Sequence, residues 1–216
     1  MVSSPPSVGV PRRRRLQPDA RREQILHAAR GLFAERPLTD VSTAEVAAAA
    51  GVARSLVHHY FGGIRSLFMT VAAQGGEALA DVRTAGPETP LPERLAHNVA
   101  AGLDVVAENL ETWLAVVGHA GAPADPQIAA LVAATTEGSI ERTLLVNRDV
   151  VADTPVARLA LRCFHAFTTE AIRIWLAGEA TREETEALLV TALGDLLRHT
   201  VPALEAEAVA PPHRLR

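Results

Sequence analysis

Residues 42–61 constrain the fold of this 216-residue chain most strongly, because they combine a helix start, a turn residue and a second short helix. Ser42 and Glu45 have the S-x-x-E spacing of a capping box, in which the hydroxyl and the carboxylate satisfy free amides at a helix start. An alanine-rich helix follows. Gly51 stands where the chain must turn, since glycine adopts positive φ without steric cost. A second helix is predicted from near Ala53 to Phe61, and this arrangement indicates a helix-turn-helix.

At about 100° per residue, the second helix separates into two faces. Ala53, Val57, Tyr60 and Phe61 form an apolar arc that is expected to face the core. The opposite face carries Arg54, Ser55, His58 and His59. Such side chains can reach phosphates and base edges from a helix lying in a major groove. The alternative is an ordinary solvated face, but the capping box and the turn glycine favour the DNA-binding interpretation.

Two motifs here, Val46-Ala-x-x-Ala-Gly51-Val and Leu56-Val-x-His-Tyr60-Phe61, resemble the DNA-binding signature of TetR-type (TetR/AcrR) transcriptional regulators. Upstream, Arg22-x-x-Ile25-Leu-x-Ala28-Ala-x-x-Leu32-Phe33-Ala resembles that family's first helix, so the resemblance covers roughly residues 20–70. The family usually has a lysine three residues after the Tyr-Phe pair. Here Ile64 holds that place, and Arg65 is the candidate replacement. The candidate DNA contacts are Arg21, Arg22, Ser42, Thr43, Arg54, Ser55, His58, His59, Tyr60 and Arg65.

The charge of the chain is unevenly distributed. Residues 1–76 contain ten arginines and five acidic residues, whereas the remainder contains eleven arginines and twenty acidic residues. A basic N-terminal part on an acidic body indicates a polyanion partner at one end only. The run from Arg12 to Arg15 is expected to be a disordered arm that follows DNA phosphates, or else a solubilising tail.

The composition indicates a cytoplasmic protein. No apolar run reaches the ~18–20 residues that cross a bilayer, and the basic N-terminus is not followed by the apolar segment of a secretion signal. Cys163 is the only cysteine, which excludes an intrachain disulfide and fits a reducing compartment. We therefore expect no membrane partner.

No segment is typical of a strand, and the periodicity predicts an all-α fold of about nine helices. We predict a disordered basic arm (1–18), a helix-turn-helix domain (19–63), a connecting helix (64–85), a helical effector-binding and dimerisation domain (86–204) and a disordered tail (205–216). The last helix is predicted to end near His199, before Pro202. Gly75-Gly76 lies inside the connecting helix as either a flexible joint or a place of close packing.

The body carries no recognisable catalytic or metal-binding motif, and the protein is predicted not to be an enzyme and to need no cofactor. An apolar cavity with a few polar groups would suit a small effector. The candidate effector contacts are Trp113, Val117, Thr136, Ile140, His165 and Thr168. The last two helices have broad apolar faces that are either core or, as the family resemblance implies, a dimer interface. The candidate interface residues are Leu159, Leu189, Leu193 and Leu196.

The sequence thus predicts a homodimeric DNA-binding regulator, most simply a repressor released from a near-palindromic double-stranded operator by a small effector. One alternative is a helix-turn-helix protein whose body binds a protein partner instead of a small effector. A second alternative, a helical enzyme acting on small molecules, lacks a catalytic constellation.

Overall fold

The computed structural model describes residues 18–117 and 126–209, and every regular element in these ranges is helical. The predicted basic arm, apart from Pro18, and the end of the predicted tail beyond Val209 lie outside the described residues. The helices are α1 (Pro18–Glu35), α2 (Thr43–Ala49), α3 (Arg54–Phe61), α4 (Ile64–Ala80), α5 (Leu91–Glu108), α6 (Leu110–Val117), α7 (Pro126–Val146), α8 (Pro155–Leu176), α9 (Arg182–Asp195) and α10 (Val201–Val209). A π-helical turn, Leu196–Thr200, joins α9 to α10. Counted as one continuous helix, this stretch brings the described helices to nine, and the predicted fold class is confirmed.

The first core cluster holds α1 to α4 together. The predicted stripe of α1 packs inward: Ile25, Ala29 and Phe33 are fully buried. Phe33 meets Phe68 of α4 edge to face, with ring centroids 5.1 Å apart, a geometry that adds to simple area burial. This cluster is what makes the N-terminal part rigid enough to present a helix to a partner.

The first cluster does not end at the predicted domain boundary. Ala115 of α6 and Ile128 of α7 are buried within it, although both were predicted to belong to the body. Helix α6 packs along α1, so one helix of the body is built into the first core cluster. The body and the N-terminal part therefore share a core, and the connecting helix α4 is not their only link.

Gly75 and Gly76 are sites of close packing within α4, which runs through both without interruption. A Cβ added to Gly75 would lie 2.8 Å from Cγ2 of Thr112 on α6. A Cβ added to Gly76 would lie 3.3 Å from Oγ1 of Thr135 on α7. Of the two interpretations left open by the sequence, the structure supports close approach, because two body helices cross α4 where it has no side chains.

Two further clusters form the body. One joins α5, α7, α8 and the continuous C-terminal helix around Ile140, Leu144, Leu161 and Leu197. The other joins α5, α8 and α9 around Leu103, Val106, Ile172 and Leu189, with Trp113 and Trp175 packed against it. Arg94 of α5 is fully buried, and its Nη2 lies 2.9 Å from a carboxylate oxygen of Asp149, which holds the pKa of Asp149 below its usual value.

The C-terminal helix continues past the end predicted at His199, and its residues 205–209 are helical where a tail was predicted. Pro202 has no N–H to donate, which usually ends a helix. Here the π-helical turn inserts an extra residue, and the N–H of Val201 donates to the carbonyl of Leu196. Thr154 Oγ1 then donates to Glu205 Oε1 at 2.5 Å, which fastens α10 to the start of α8.

The continuous stretch Arg182–Glu207 is long and apolar enough to cross a bilayer by length and composition alone. Core helices of soluble proteins meet the same criterion. This one packs against α5 and α8 and carries charged groups in its first turn.

Candidate nucleic-acid interface

The start of α2 is fixed by the predicted capping box. The backbone N–H of Ser42 donates to Glu45 Oε2 at 2.9 Å, and the N–H of Glu45 donates to Ser42 Oγ at 3.3 Å. Arg36 Nη1 also donates to Glu45 Oε1 at 2.9 Å. The hydrogen bonds from Ser42, followed by that from Arg36, lower the pKa of Glu45 to about 2. The carboxylate therefore remains ionised and holds the helix start at neutral pH.

The turn between α2 and α3 depends on Gly51, which has φ of +61° as predicted. The N–H of Val52 donates to the carbonyl of Ala47 at 2.9 Å and closes the end of α2. Gln24 of α1 adds a contact that sequence reasoning missed: its Nε2 donates to the carbonyl of Ala50 at 2.7 Å. This bond fixes the turn against α1, and only the three-dimensional proximity of residues 24 and 50 could reveal it.

Helix α3 has the two predicted faces. Val57 and Phe61 are buried, whereas Arg54, Ser55, His58 and His59 are all exposed. Ala53 departs from the prediction, since it is exposed and does not face the core. It precedes the first turn with an extended backbone, so the helical angle used to place it does not apply.

Thr43 was predicted to contact DNA, but only 6% of it is exposed. Its Oγ1 accepts a hydrogen bond from Arg54 Nε at 3.1 Å and lies 3.4 Å from His58 Nε2. His58 Nδ1 lies 3.3 Å from the carbonyl of Gly62. Thr43 therefore orients two side chains of α3, and a direct contact between Thr43 and DNA stays a prediction.

Aromatic contacts order the rest of this surface. The half-buried ring of Tyr60 meets His59 edge to face at 5.3 Å. Arg22 at the start of α1 lies over the Phe61 ring, with 5.3 Å between its Cζ and the centroid. Arg21 Nη1 donates to Gln24 Oε1 at 3.0 Å. The Arg22 contact places one guanidinium group of α1 beside α3, whereas the Arg21 hydrogen bond stays within α1.

The beginning of α4 differs from the usual family pattern as the sequence indicated. Ile64 is the first residue of α4 and packs against the first core cluster, so it is not available as a phosphate contact. Arg65 is exposed one position later. Ser42 is also exposed, beside the capping hydrogen bonds that it makes.

Comparison with known proteins agrees with this geometry. The family model described as bacterial regulatory proteins, tetR family, matches residues 25–71, the stretch that contains the helix-turn-helix. Over residues 25–71 the chain is therefore similar to the TetR family of regulators. It is 26% identical over 186 residues to the HTH-type transcriptional activator FasR of Mycolicibacterium smegmatis, covering 85% of this chain and 84% of FasR.

A further relative and a solved structure show similar agreement. The HTH-type transcriptional regulator BetI of Brucella anthropi is 33% identical over 105 residues, covering 46% of this chain and 54% of BetI. A TetR-family regulator from Streptomyces coelicolor superposes with a TM-score of 0.70 and 26% identity, over 89% of this chain and 85% of that one. The present chain is accordingly a transcriptional regulator with a DNA-binding helix-turn-helix.

The candidate effector contacts of the chain fall into two groups. The half-buried group contains Trp113, Val117, Thr136, His165 and Thr168. Ile140 is 2% exposed within the second core cluster, so it is a packed core residue. Burial lowers the pKa of His165.

The candidate dimer residues also divide. Leu159 is 62% exposed, and Leu196 lines the same shallow apolar groove, together with Val156, Cys163, Phe167, Thr200 and Leu204. Leu189 and Leu193 are 2% and 7% exposed because they pack into the chain's own clusters. These two residues are therefore core residues of the chain itself, and their place at a dimer interface stays a prediction.

Proposed function

We propose that this TetR-family regulator is a homodimeric repressor that reads a near-palindromic operator through α3 and is released by a small effector. The observation that supports this proposal best is the outer face of α3. Four exposed polar side chains stand opposite two buried apolar ones, and Thr43 holds Arg54 and His58 in place. In this proposal Arg54 and Ser55 read base edges, while Arg21, Arg22 and Arg65 contact phosphates.

In the proposed dimer, a second copy of the chain packs against the groove between α8 and the C-terminal helix. Leu159, Phe167 and Leu204 are large apolar side chains that are 62%, 41% and 43% exposed there. Contiguous exposed apolar surface of this kind marks interaction sites. A two-fold axis through the groove would form a four-helix bundle from two helices of each chain. In this arrangement the apolar surface of the C-terminal helix packs against the second copy of the chain and not against a bilayer, which agrees with a cytoplasmic protein.

The proposed division of labour follows the sequence prediction, with one change. Residues 19–63 bind DNA, residues 64–85 connect, and the body from residue 86 binds the effector and the twin. The body extends beyond the predicted limit of 204, because α10 continues to Val209. Activation instead of repression is a second candidate, and the similarity to FasR, which is named as an activator, favours considering it.

The test is an operator-binding measurement with the full-length protein. We expect selection from random DNA to return a sequence with two related half-sites. Arg54→Ala and Ser55→Ala should each weaken operator binding by about 1–3 kcal/mol and relax the preference at one base position. Arg148→Ala is the matched control, because Arg148 is an exposed arginine of the body.

Two outcomes would contradict the proposal. Equal losses on operator and on random DNA would reassign Arg54 and Ser55 to backbone contacts. A selected sequence without two-fold symmetry would argue against a dimer that places two α3 helices in successive major grooves. Reporter expression with and without the protein then separates repression from activation.

A further inference from the structure

The hydroxyl of Thr168 on α8 is buried without a hydrogen-bond partner in the part of the chain that the structure describes. A threonine inside a helix usually has an accessible acceptor in the carbonyl four residues earlier. Six other threonines here use it: Thr70, Thr135, Thr136, Thr143, Thr169 and Thr185. Thr168 is turned away from the corresponding carbonyl of its own helix. A buried polar group left unpaired is unfavourable, so a partner from outside these residues would stabilise the hydroxyl.

The surroundings of this hydroxyl are apolar. Thr168 lies one helical turn after Phe164 and one turn before Ile172, and both of these side chains pack in the third core cluster. Leu103 and Val106 of α5 and Trp113 of α6 belong to the same cluster. The hydroxyl is therefore an isolated polar group at the edge of an apolar region formed by α5, α6 and α8.

His165 is the nearest polar side chain on the same face of α8, three residues before Thr168. Burial lowers the pKa of His165, so its imidazole is neutral at neutral pH and offers one donor and one acceptor. Glu137 Oε2 pairs with Arg162 Nη2 at 2.7 Å across α7 and α8. Thr136 of α7 is the sequence neighbour of Glu137. Thr136 already donates to the carbonyl of Val132, which leaves its oxygen only as an acceptor.

We propose that Thr168 and His165 form the hydrogen-bonding end of the effector site, and that the effector is a mainly apolar molecule with one oxygen-bearing group, a carbonyl or a carboxyl. This inference rests on the proposed effector function and specifies its chemistry. A hydroxyl and a neutral imidazole can both donate to one oxygen acceptor, while the third cluster supplies the apolar wall. A polar multi-group ligand would leave its remaining groups unpaired in this region.

The first test needs no ligand. Thr168→Val keeps the shape of the side chain and removes the orphan hydroxyl, so the unliganded protein should become more stable, with a midpoint raised by about 2–4 °C. Thr169→Val is the matched control, because its hydroxyl is paired with the carbonyl of His165 at 3.0 Å. The control should be neutral or destabilised. If Thr168→Val is destabilised as much as Thr169→Val, the hydroxyl of Thr168 already has a hydrogen-bond partner, and the inference is overturned.

The second test uses three probes of similar size: cyclohexanecarboxylate, its methyl ester and methylcyclohexane. Trp113 and Trp175 are the only tryptophans of the chain and both pack against the third cluster, so their emission reports binding at this site. We expect both oxygen-bearing probes to shift the emission of the wild-type protein. Thr168→Val should weaken the binding of these two probes at least about tenfold, and Thr169→Val should leave it unchanged. The binding of methylcyclohexane should not differ between the wild-type protein and Thr168→Val.

The two oxygen-bearing probes separate an acid from a neutral carbonyl, since preferential binding of one identifies the class. Equal binding of all three probes to both variants, or no binding of any probe to the wild-type protein, would overturn the inference. Operator binding without a probe should be unchanged in Thr168→Val. A variant that loses the probe response but keeps the operator therefore tests this site independently of the proposed DNA-binding function.

Discussion

Gly75→Ala should destabilise the protein even though alanine is the better helix former. In an open helix position this substitution stabilises by about 1 kcal/mol. At Gly75, however, the new Cβ would lie 2.8 Å from Thr112 Cγ2. Thr112 is 5% exposed, and its methyl group is directly attached to a β-branched carbon, so it has no flexible arm to swing aside. Overpacking of this kind costs about 1–3 kcal/mol, which offsets or exceeds the gain.

Gly102→Ala is the matched control, because Gly102 lies within α5 and nothing stands within 4 Å of the position of its added Cβ. Denaturant unfolding of the full-length protein should place Gly75→Ala about 1–3 kcal/mol below Gly102→Ala in stability. Thr112→Ser removes the opposing methyl group. In the Gly75→Ala background it should restore stability, although alone it should cost stability by leaving a cavity.

Equal stability of the two alanine variants would refute the close crossing of α4 and α6. An additive double variant, in which Thr112→Ser is as harmful in the Gly75→Ala background as in the wild-type protein, would refute the specific contact. Because α6 also packs along α1, the clashing variant is further expected to change operator affinity, which the control should leave unaltered.

Individual contacts support three further predictions. Ser42→Ala removes the cap of α2 and should lower the free energy of unfolding by about 1 kcal/mol. Ser66→Ala, an exposed control in α4, should lower it by less. Equal losses in the two variants would contradict the role of the cap. Leu159→Glu should raise the dimer dissociation constant, measured by sedimentation, at least about tenfold. The control Leu145→Glu lies outside the groove at a site that is 60% exposed, and it should leave the dimer intact. If Leu159→Glu does not weaken the dimer, the interface lies elsewhere. The unfolded chain binds a proton at His165 more readily than the folded chain, so this residue's contribution to stability is full above about pH 6.5 and is lost as pH falls through its lowered folded pKa. His165→Gln should flatten the acid-side loss in thermal midpoint relative to the exposed control His199→Gln, and an unchanged pH profile would count against burial of this imidazole.

The helix-turn-helix could be predicted because its determinants are local. The capping box, Gly51 and the spacing of Val57 and Phe61 lie within twenty residues and act through short-range geometry. The role of Thr43 could not be predicted in this way. Its hydroxyl is used by Arg54, eleven residues away, and only the angle between α2 and α3 brings the two together.

The C-terminal part shows a different limit of sequence reasoning. Pro202 usually ends an α-helix, in which each carbonyl accepts a hydrogen bond from the N–H four residues later. The π-helical turn lengthens this spacing to five residues, and the helix continues past the proline. Periodicity also identifies an apolar face without saying what covers it. Leu159 and Leu193 both fit an apolar face, yet one is mostly exposed and the other is buried in the chain's own core. The distinction depends on how three helices pack, which no single helical pattern contains.

In the proposed regulation, helix α6 is one element through which a ligand in the body would affect the DNA-binding unit. Its Ala115 is buried in the first cluster, its Trp113 packs against the third, and its Thr112 contacts α4 at Gly75. Any ligand that moves Trp113 must therefore also move groups packed on α1 and α4, because interiors this dense transmit displacement. The effect on operator affinity is limited to the ligand's difference in affinity between the two arrangements, typically about 1–3 kcal/mol. A ligand that binds against the third cluster without displacing α6 would leave DNA binding unchanged.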